Sequence, residues 1–268
     1  MKSFFALTLA FCTFFCGKTS ARTVFSNDES KRVYACGRTD GQSIALTFDD
    51  GPHGEYTEQI LDILAEYGVK ATFFVIGENA ERHPELIRRM KEEGHAVGNH
   101  TYRHRISCKK SGQDVLRELE RTRDLLRELG VEDPLFRPPG GAYDDHLLSC
   151  ARALDYNVIL WTVDPKDWCH PPAEQITKGV LDTVKSGDIV LMHDYVWGES
   201  HTPEAVRQII PALLKEGYSF KRVDELKEYG LEGPFATELA WQLRREGVEL
   251  PDTILRREEL VEALCQLN

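Results

Sequence analysis

Several things are missing from this 268-residue chain, and each absence narrows what it can do. None of its 7 cysteines forms a C-x-x-C pair, which argues against a thioredoxin-like redox centre and against a zinc knuckle built on thiolates. No G-x-G-x-x-G follows the first strand-like run, so the dinucleotide-binding strand–turn–helix is disfavoured. Positive charge is scarce: 33 Lys and Arg stand against 44 Asp and Glu, for a formal charge of −11, with no extended basic run. Nucleic acid, whose phosphates demand a basic face, is therefore not an expected partner. No apolar stretch reaches the roughly 20 residues needed to cross a bilayer, so no membrane span is expected. Long-period repeats and low-complexity tracts are absent too.

What is present fits a globular protein with a sizeable core, at 41% apolar and 29% charged residues. Residues 1–21 stand apart. Lys2 precedes an apolar run over residues 4–16, and Thr19-Ser20-Ala21 offers small residues for cleavage. This reads as a secretory signal, which predicts a secreted, periplasmic or cell-wall-associated protein. A buried N-terminal helix is the bland alternative. A lipid anchor at Cys16 is disfavoured by the bulky Phe14-Phe15 before it. Cleavage would leave Cys36, Cys108, Cys150, Cys169 and Cys265, an odd number that allows at most two bridges in no readable pairing.

From about residue 41 to 230 short apolar runs alternate with helical stretches. Strands are predicted at 43–48, 71–76, 95–99, 135–137, 158–163, 188–192 and 218–223. Ser111 and Asp114 open a helix as a capping box; Val115, Leu116, Leu119, Leu126 and Leu129 give it a stripe, and Gly130 stops it. Thr202-Pro203-Glu204 reads as a cap, an N1 proline and an acidic first turn, with Gly217 closing that helix. Pro84-Glu85 and Gly94 bracket another. The alternation predicts an α/β fold with a mostly parallel sheet, closed either as an open doubly wound sheet or as a (β/α)7–8 barrel. Residues 22–40 read as a lead-in arm. Residues 231–268, behind Gly233-Pro234, read as a helical tail that packs on the exterior or docks a partner.

Chemistry-bearing residues gather at the C-terminal ends of five predicted strands, where barrels and parallel sheets build active sites. Thr47-Phe48-Asp49-Asp50-Gly51-Pro52 ends a strand in two carboxylates and then turns. One can bind a cation while its neighbour stays free as a base. His100 and His104, spaced i and i+4, would share one face of a helical turn and reach one metal. Two imidazoles and a carboxylate form a set that suits zinc or a neighbouring transition metal and leaves positions open. Phe136-Arg137-Pro138-Pro139-Gly140-Gly141 is a rigid loop whose next free amide, at Gly140, can serve an oxyanion. Arg137 can hold a carboxylate bidentately. At the ends of the strands 158–163 and 188–192 come Asp164-Pro165-Lys166-Asp167-Trp168 and Leu191-Met192-His193, in which His193 can act as a general acid with Asp167 on its ring nitrogen. Each cluster alone is more economically read as a turn, a rigid loop or a structural histidine. Five at the same end of five strands are not.

In order, these clusters resemble the five motifs of the NodB-homology polysaccharide deacetylases, over roughly residues 41–226. The resemblance implies a distorted (β/α) barrel and removal of N-acetyl groups from a polysaccharide or oligosaccharide. It implies a divalent metal on Asp50, His100 and His104, zinc first, with cobalt or another transition metal as alternatives. It further implies Asp49 as general base tethered by Arg137, His193 as general acid supported by Asp167, and Trp168 and Leu191 lining the acetyl pocket. Where many members carry an aromatic residue in the third motif this chain has Gly140, which keeps the backbone donor but removes a wall beside the sugar. Two rivals remain. A glycoside hydrolase would use the paired carboxylates and leave the three histidines idle. A non-catalytic sugar-binding module would be expected to have lost a base or a ligand. Substrate selection is expected in the loops 106–112 and 195–201.

Overall fold

The computed structural model describes residues 28, 31–37, 41–105 and 112–225. The signal segment, most of the lead-in arm, Cys108, Cys265, Ser111 with most of the 106–112 loop, and the tail lie outside the described residues.

Strand β2 (Ser43–Asp49) organises the fold. Side chains alternate across a strand, so Ile44, Leu46 and Phe48 point one way and Ala45, Thr47 and Asp49 the other. The first set joins the core shared with helices α1 (Tyr56–Tyr67), α3 (Pro84–Glu92), α6 (Ala173–Leu181) and α7 (Thr202–Lys215). The second set faces the interior, where function sits. The short helix α2 (Gly77–Arg82) precedes α3, while α4 (Gly112–Glu128) and α5 (Asp145–Ala153) cover a second core cluster with the remaining strands.

The sheet runs β1 (Val33–Tyr34), β6 (Asn157–Ile159), β5 (Leu135–Phe136), β4 (Ala96–Asn99), β3 (Thr72–Val75), β2, β7 (Ile189–His193), and β8 (Ser219–Phe220) pairs with the start of β2. Every strand pair is parallel. Closure happens just beyond β6. Leu160 still donates to Tyr34 O (2.7 Å), but Thr162 N–H donates to Ile189 O (3.0 Å) and Leu191 N–H to Val163 O (2.8 Å). A parallel bridge joins Val163 to Val190. The curled sheet is thus a distorted (β/α) barrel, and the open doubly wound alternative falls.

Three local readings change. The strand expected at 158–163 splits because its first half pairs with β1 and β5 and its second half with β7. Two residues of the expected lead-in arm, Val33 and Tyr34, form a strand in register with Val158 and Ile159; a two-residue pairing leaves no periodicity to read. Finally, α7 has His201, not Thr202, at its N-cap position, with Pro203 in the first turn and Gly217 at φ 89° beyond its end. Among the described residues no helix is long and apolar enough to cross a membrane.

Candidate active site

Asp49 closes β2 in register with Phe74 of β3 and His193 of β7. On the same strand face lies Thr47, and beneath both sits the fully buried guanidinium of Arg137, which follows β5. Arg137 Nη1 donates to Asp49 Oδ1 and to Thr47 Oγ1, each at 2.7 Å. Its Nε and Nη2 go to the carbonyls of Ile159 (3.2 Å) and Leu160 (3.0 Å). The bidentate clamp expected from sequence is therefore a single bond to Asp49. The remaining donors tie the arginine to the seam where the barrel closes, and Asp49 Oδ2 is left 3.8 Å from His100 Nε2. Burial lowers the Arg137 pKa, opposed by the adjacent Asp49 charge. A charge buried this deeply requires its partner.

Asp50 takes a left-handed backbone (φ 76°), uncommon for a residue with a side chain, and this turns its carboxylate to the Asp49 side. Its carbonyl accepts from Asn79 Nδ2 (2.8 Å) and its N–H donates to Phe74 O (3.2 Å). Asp50 Oδ1 lies 3.3 Å from His100 Nε2 and 3.2 Å from His104 Nε2. The three ligand atoms all fall within 4.8 Å of one another. His100 Nδ1–H donates to Arg137 O (2.7 Å), so in the neutral ring Nε2 is the lone-pair nitrogen turned toward Asp50.

The two histidines do not share a helical turn as expected. Residues 101–104 form a bent loop with Thr101 at φ 68° and His104 at φ 52°. Thr101 N–H bonds Asn99 Oδ1 (2.8 Å), and the first N–H groups of α2, from Gly77 and Glu78, hold the carbonyls of Thr101 and Tyr102, each at 2.9 Å. This outside pinning does the work a helix would have done.

The donor set fits a divalent cation. Asp50 Oδ1 is buried with no hydrogen-bond partner, a state that costs roughly 1–3 kcal/mol in the absence of compensation. One carboxylate oxygen with two imidazole nitrogens is a set zinc and its neighbours accept. Burial pushes the Asp50 pKa up, but the imidazoles of His100, His193 and His104 bring it down to about 2, so the ligand oxygen is anionic at neutral pH. Burial also pulls His104 down, favouring the neutral ligand form, whereas Asp49 and Asp50 hold His100 up.

Beside this cluster His193 ends β7. Asp167 grips it twice, accepting from the His193 N–H (2.7 Å) and from ring Nδ1–H (2.8 Å). Asp167 also accepts from Trp168 N–H (3.0 Å) and from the Thr202 hydroxyl (2.8 Å). Burial pulls His193 down, but Asp167, followed by Asp50 and Asp49, pushes it up to about 10. Trp168 is 36% exposed and Leu191 is buried in β7. Gly140 (φ 65°) sits in the turn Pro139–Gly141, where an added Cβ would meet no atom within 4 Å.

Three supporting residues were not legible from sequence. Thr47 and Thr202 show only in three dimensions, as partners of Arg137 and Asp167. Asp194, buried directly after His193, accepts from Gly51 N–H (2.9 Å) and from the Thr57 hydroxyl (2.7 Å). A Cβ at Gly51 would collide with that carboxylate, so only glycine fits there. Asp194→Ala would leave both buried donors without this acceptor, and a loss of roughly 2–4 kcal/mol of stability is expected in urea unfolding. Unchanged stability would show that the Asp50–Gly51 turn holds itself.

A family model described as polysaccharide deacetylase matches residues 37–159. A peptidoglycan-N-acetylglucosamine deacetylase of Bacillus cereus is 41% identical over 188 residues, covering 69% of this chain and 88% of that protein. The chain belongs to the polysaccharide deacetylase family. Within that family it is also similar to a chitooligosaccharide deacetylase of Azorhizobium caulinodans, 33% identical over 192 residues, 67% of this chain and 91% of that protein. A crystal structure of a peptidoglycan N-acetylglucosamine deacetylase matches with a TM-score of 0.71 at 34% identity, over 73% of this chain and 92% of that one. A carbohydrate esterase family four pseudoenzyme from Bacillus anthracis matches with a TM-score of 0.68 at 29% identity, over 72% and 68%. Membership of the deacetylase family therefore leaves catalysis to be argued from the site. A second model, for the C-terminal domain of the energy-coupling factor transporter EcfA1, matches residues 234–268, outside the described residues.

Proposed function

We propose that this family member hydrolyses N-acetyl groups on an N-acetylglucosamine-containing polysaccharide, peptidoglycan or chitin-like, and releases acetate. A divalent metal on Asp50, His100 and His104 belongs to the proposal, with zinc as first choice. The observation that carries it is the partnerless buried oxygen of Asp50 facing two imidazole nitrogens, next to a second carboxylate that is no part of that cluster. When bound, the cation supplies Lewis acidity toward the acetamide and makes water a better nucleophile.

The remaining work falls to the chain. Asp49, oriented by Arg137, takes the proton from the attacking water through Oδ2. The Gly140 amide donates to the oxyanion that develops on the former carbonyl. His193, protonated and oriented by Asp167, gives its proton to the departing nitrogen as the amide C–N bond breaks. Acetate leaves, and a free amine remains on the sugar. Trp168 and Leu191 give the acetyl methyl an apolar surround. Each acid–base partner is worth about 10²–10⁴-fold in rate. Residues 1–21 would export the protein to where such polymers lie.

Acetate release across a panel of acetylated glycans, with and without chelator, tests this directly. Acetate that appears only without chelator is expected; new reducing ends without acetate would refute the reaction class. The general acid has its own test. A His193 held near 10 stays protonated at neutral pH and loses its proton only as pH climbs past that value. Asp167→Asn removes the charge that holds it up, so the alkaline limb of the kcat/KM profile is expected to move down by roughly 1–3 units. An unmoved limb would take the proton from some other group.

A further inference from the structure

The loop 195–201 has no part in the chemistry above, yet it carries Trp197, 87% exposed and the most exposed large apolar side chain among the described residues. The loop begins two residues after His193 and ends one before Thr202, whose hydroxyl bonds Asp167. Both its ends therefore rest on the His193–Asp167 pair. Between them it is pinned repeatedly. Val196 is buried, and Tyr195 stacks on His53 with ring centroids 5.3 Å apart. His53 in turn stacks on Tyr56 at 4.9 Å, and the Tyr56 hydroxyl donates to Gly198 O (3.4 Å). His170 Nδ1–H donates to Glu199 O (2.9 Å). An indole held outward on a secured loop leaves a large apolar face in water that folding alone does not require. The third loop offers no such face, since Pro138, Pro139, Gly140 and Gly141 carry no aromatic ring.

We propose that Trp197 forms a sugar-binding subsite beside the deacetylation centre, its indole stacking on the apolar face of a pyranose ring further along the same N-acetylated glycan chain. The idea rests on the deacetylase reading and adds a length preference to it. An indole suits such a ring because it pairs a flat apolar body with an N–H able to reach a hydroxyl. An anionic membrane surface fits poorly, because Glu199 lies on the same loop and the chain carries −11 overall. A second copy fits poorly as well, since one side chain contributes little of the roughly 1,200 Å² a stable interface buries.

Calorimetry with N-acetylglucosamine oligomers of two and six units, on metal-loaded wild type, Trp197→Ala and Trp197→Phe, tests the subsite, with acetate release followed in parallel. Trp197→Ala is expected to weaken hexamer binding roughly five- to tenfold and leave the dimer untouched, with Trp197→Phe close to wild type. The KM for the hexamer should rise by the same factor at unchanged kcat. Hexamer affinity that ignores the substitution, equal weakening at both lengths, or no hexamer binding by wild type would overturn the subsite. Dimerisation abolished by Trp197→Ala would reassign the face to a second copy and overturn it too. Wild type that releases no acetate but still binds the hexamer through Trp197 would sink the deacetylase reading and leave the subsite standing.

Discussion

Asp50→Ala is expected to abolish both metal binding and turnover. In the proposed site Asp50 supplies the one anionic ligand atom, and its Oδ1 lies within 3.3 Å of both imidazole nitrogens, so no neighbour would replace it without moving the strand end. Asp49 is close, but its Oδ1 is committed to Arg137. Loss of one ligand from the proposed three-residue set would remove most of the site's metal affinity, and with it the electrophile that the proposed hydrolysis uses. Equilibrium dialysis against zinc and acetate release should therefore fall together. Near-normal activity in a metal-free Asp50→Ala protein would dispose of the scheme.

Asp49→Asn should separate what Asp50→Ala joins. The amide oxygen can still accept from Arg137 Nη1, which keeps the local geometry, but the buried guanidinium loses its counter-charge and a stability cost of about 3–5 kcal/mol is expected. The three ligand atoms are not touched, and metal affinity should stay near wild type. Turnover should nevertheless fall by about 10²–10⁴-fold, because an amide cannot take a proton from water at neutral pH. A parallel loss of metal would make Asp49 a ligand. Wild-type turnover would place the base elsewhere.

The contrast between adjacent residues explains why some of this site could be read from the chain and some could not. β2 was legible because Ile44, Leu46 and Phe48 alternate with Ala45, Thr47 and Asp49, and that period assigns Asp49 to the interior face. The proximity of Asp50 rests on a left-handed turn that composition only hints at through Gly51-Pro52. His100 and His104 were assigned to one cluster from their spacing, but through a helical turn that does not exist. The loop that gathers them is shaped by Asn99 and by the N-terminus of α2, contacts no local pattern encodes. Thr202 was read as a helix cap because a threonine before Pro-Glu usually is one; instead its hydroxyl turns to the buried Asp167, which outcompetes a solvated backbone N–H. Barrel closure was invisible for a similar reason. Residues 158–163 look like one strand, and nothing in their order reveals that Thr162 and Val163 change partner to β7. Asp194 escaped because a carboxylate after a strand looks like a solvated turn until Gly51 is seen packed against it.

Metal removal followed by stepwise return is the most direct measurement. Protein stripped by chelator should release no acetate from N-acetylglucosamine oligomers. Activity should then climb linearly as zinc is added and level off at one equivalent per chain. Full activity in the stripped protein, or a plateau that ignores added metal, would contradict a site in which Asp50, His100 and His104 hold the ion that makes the amide cleavable.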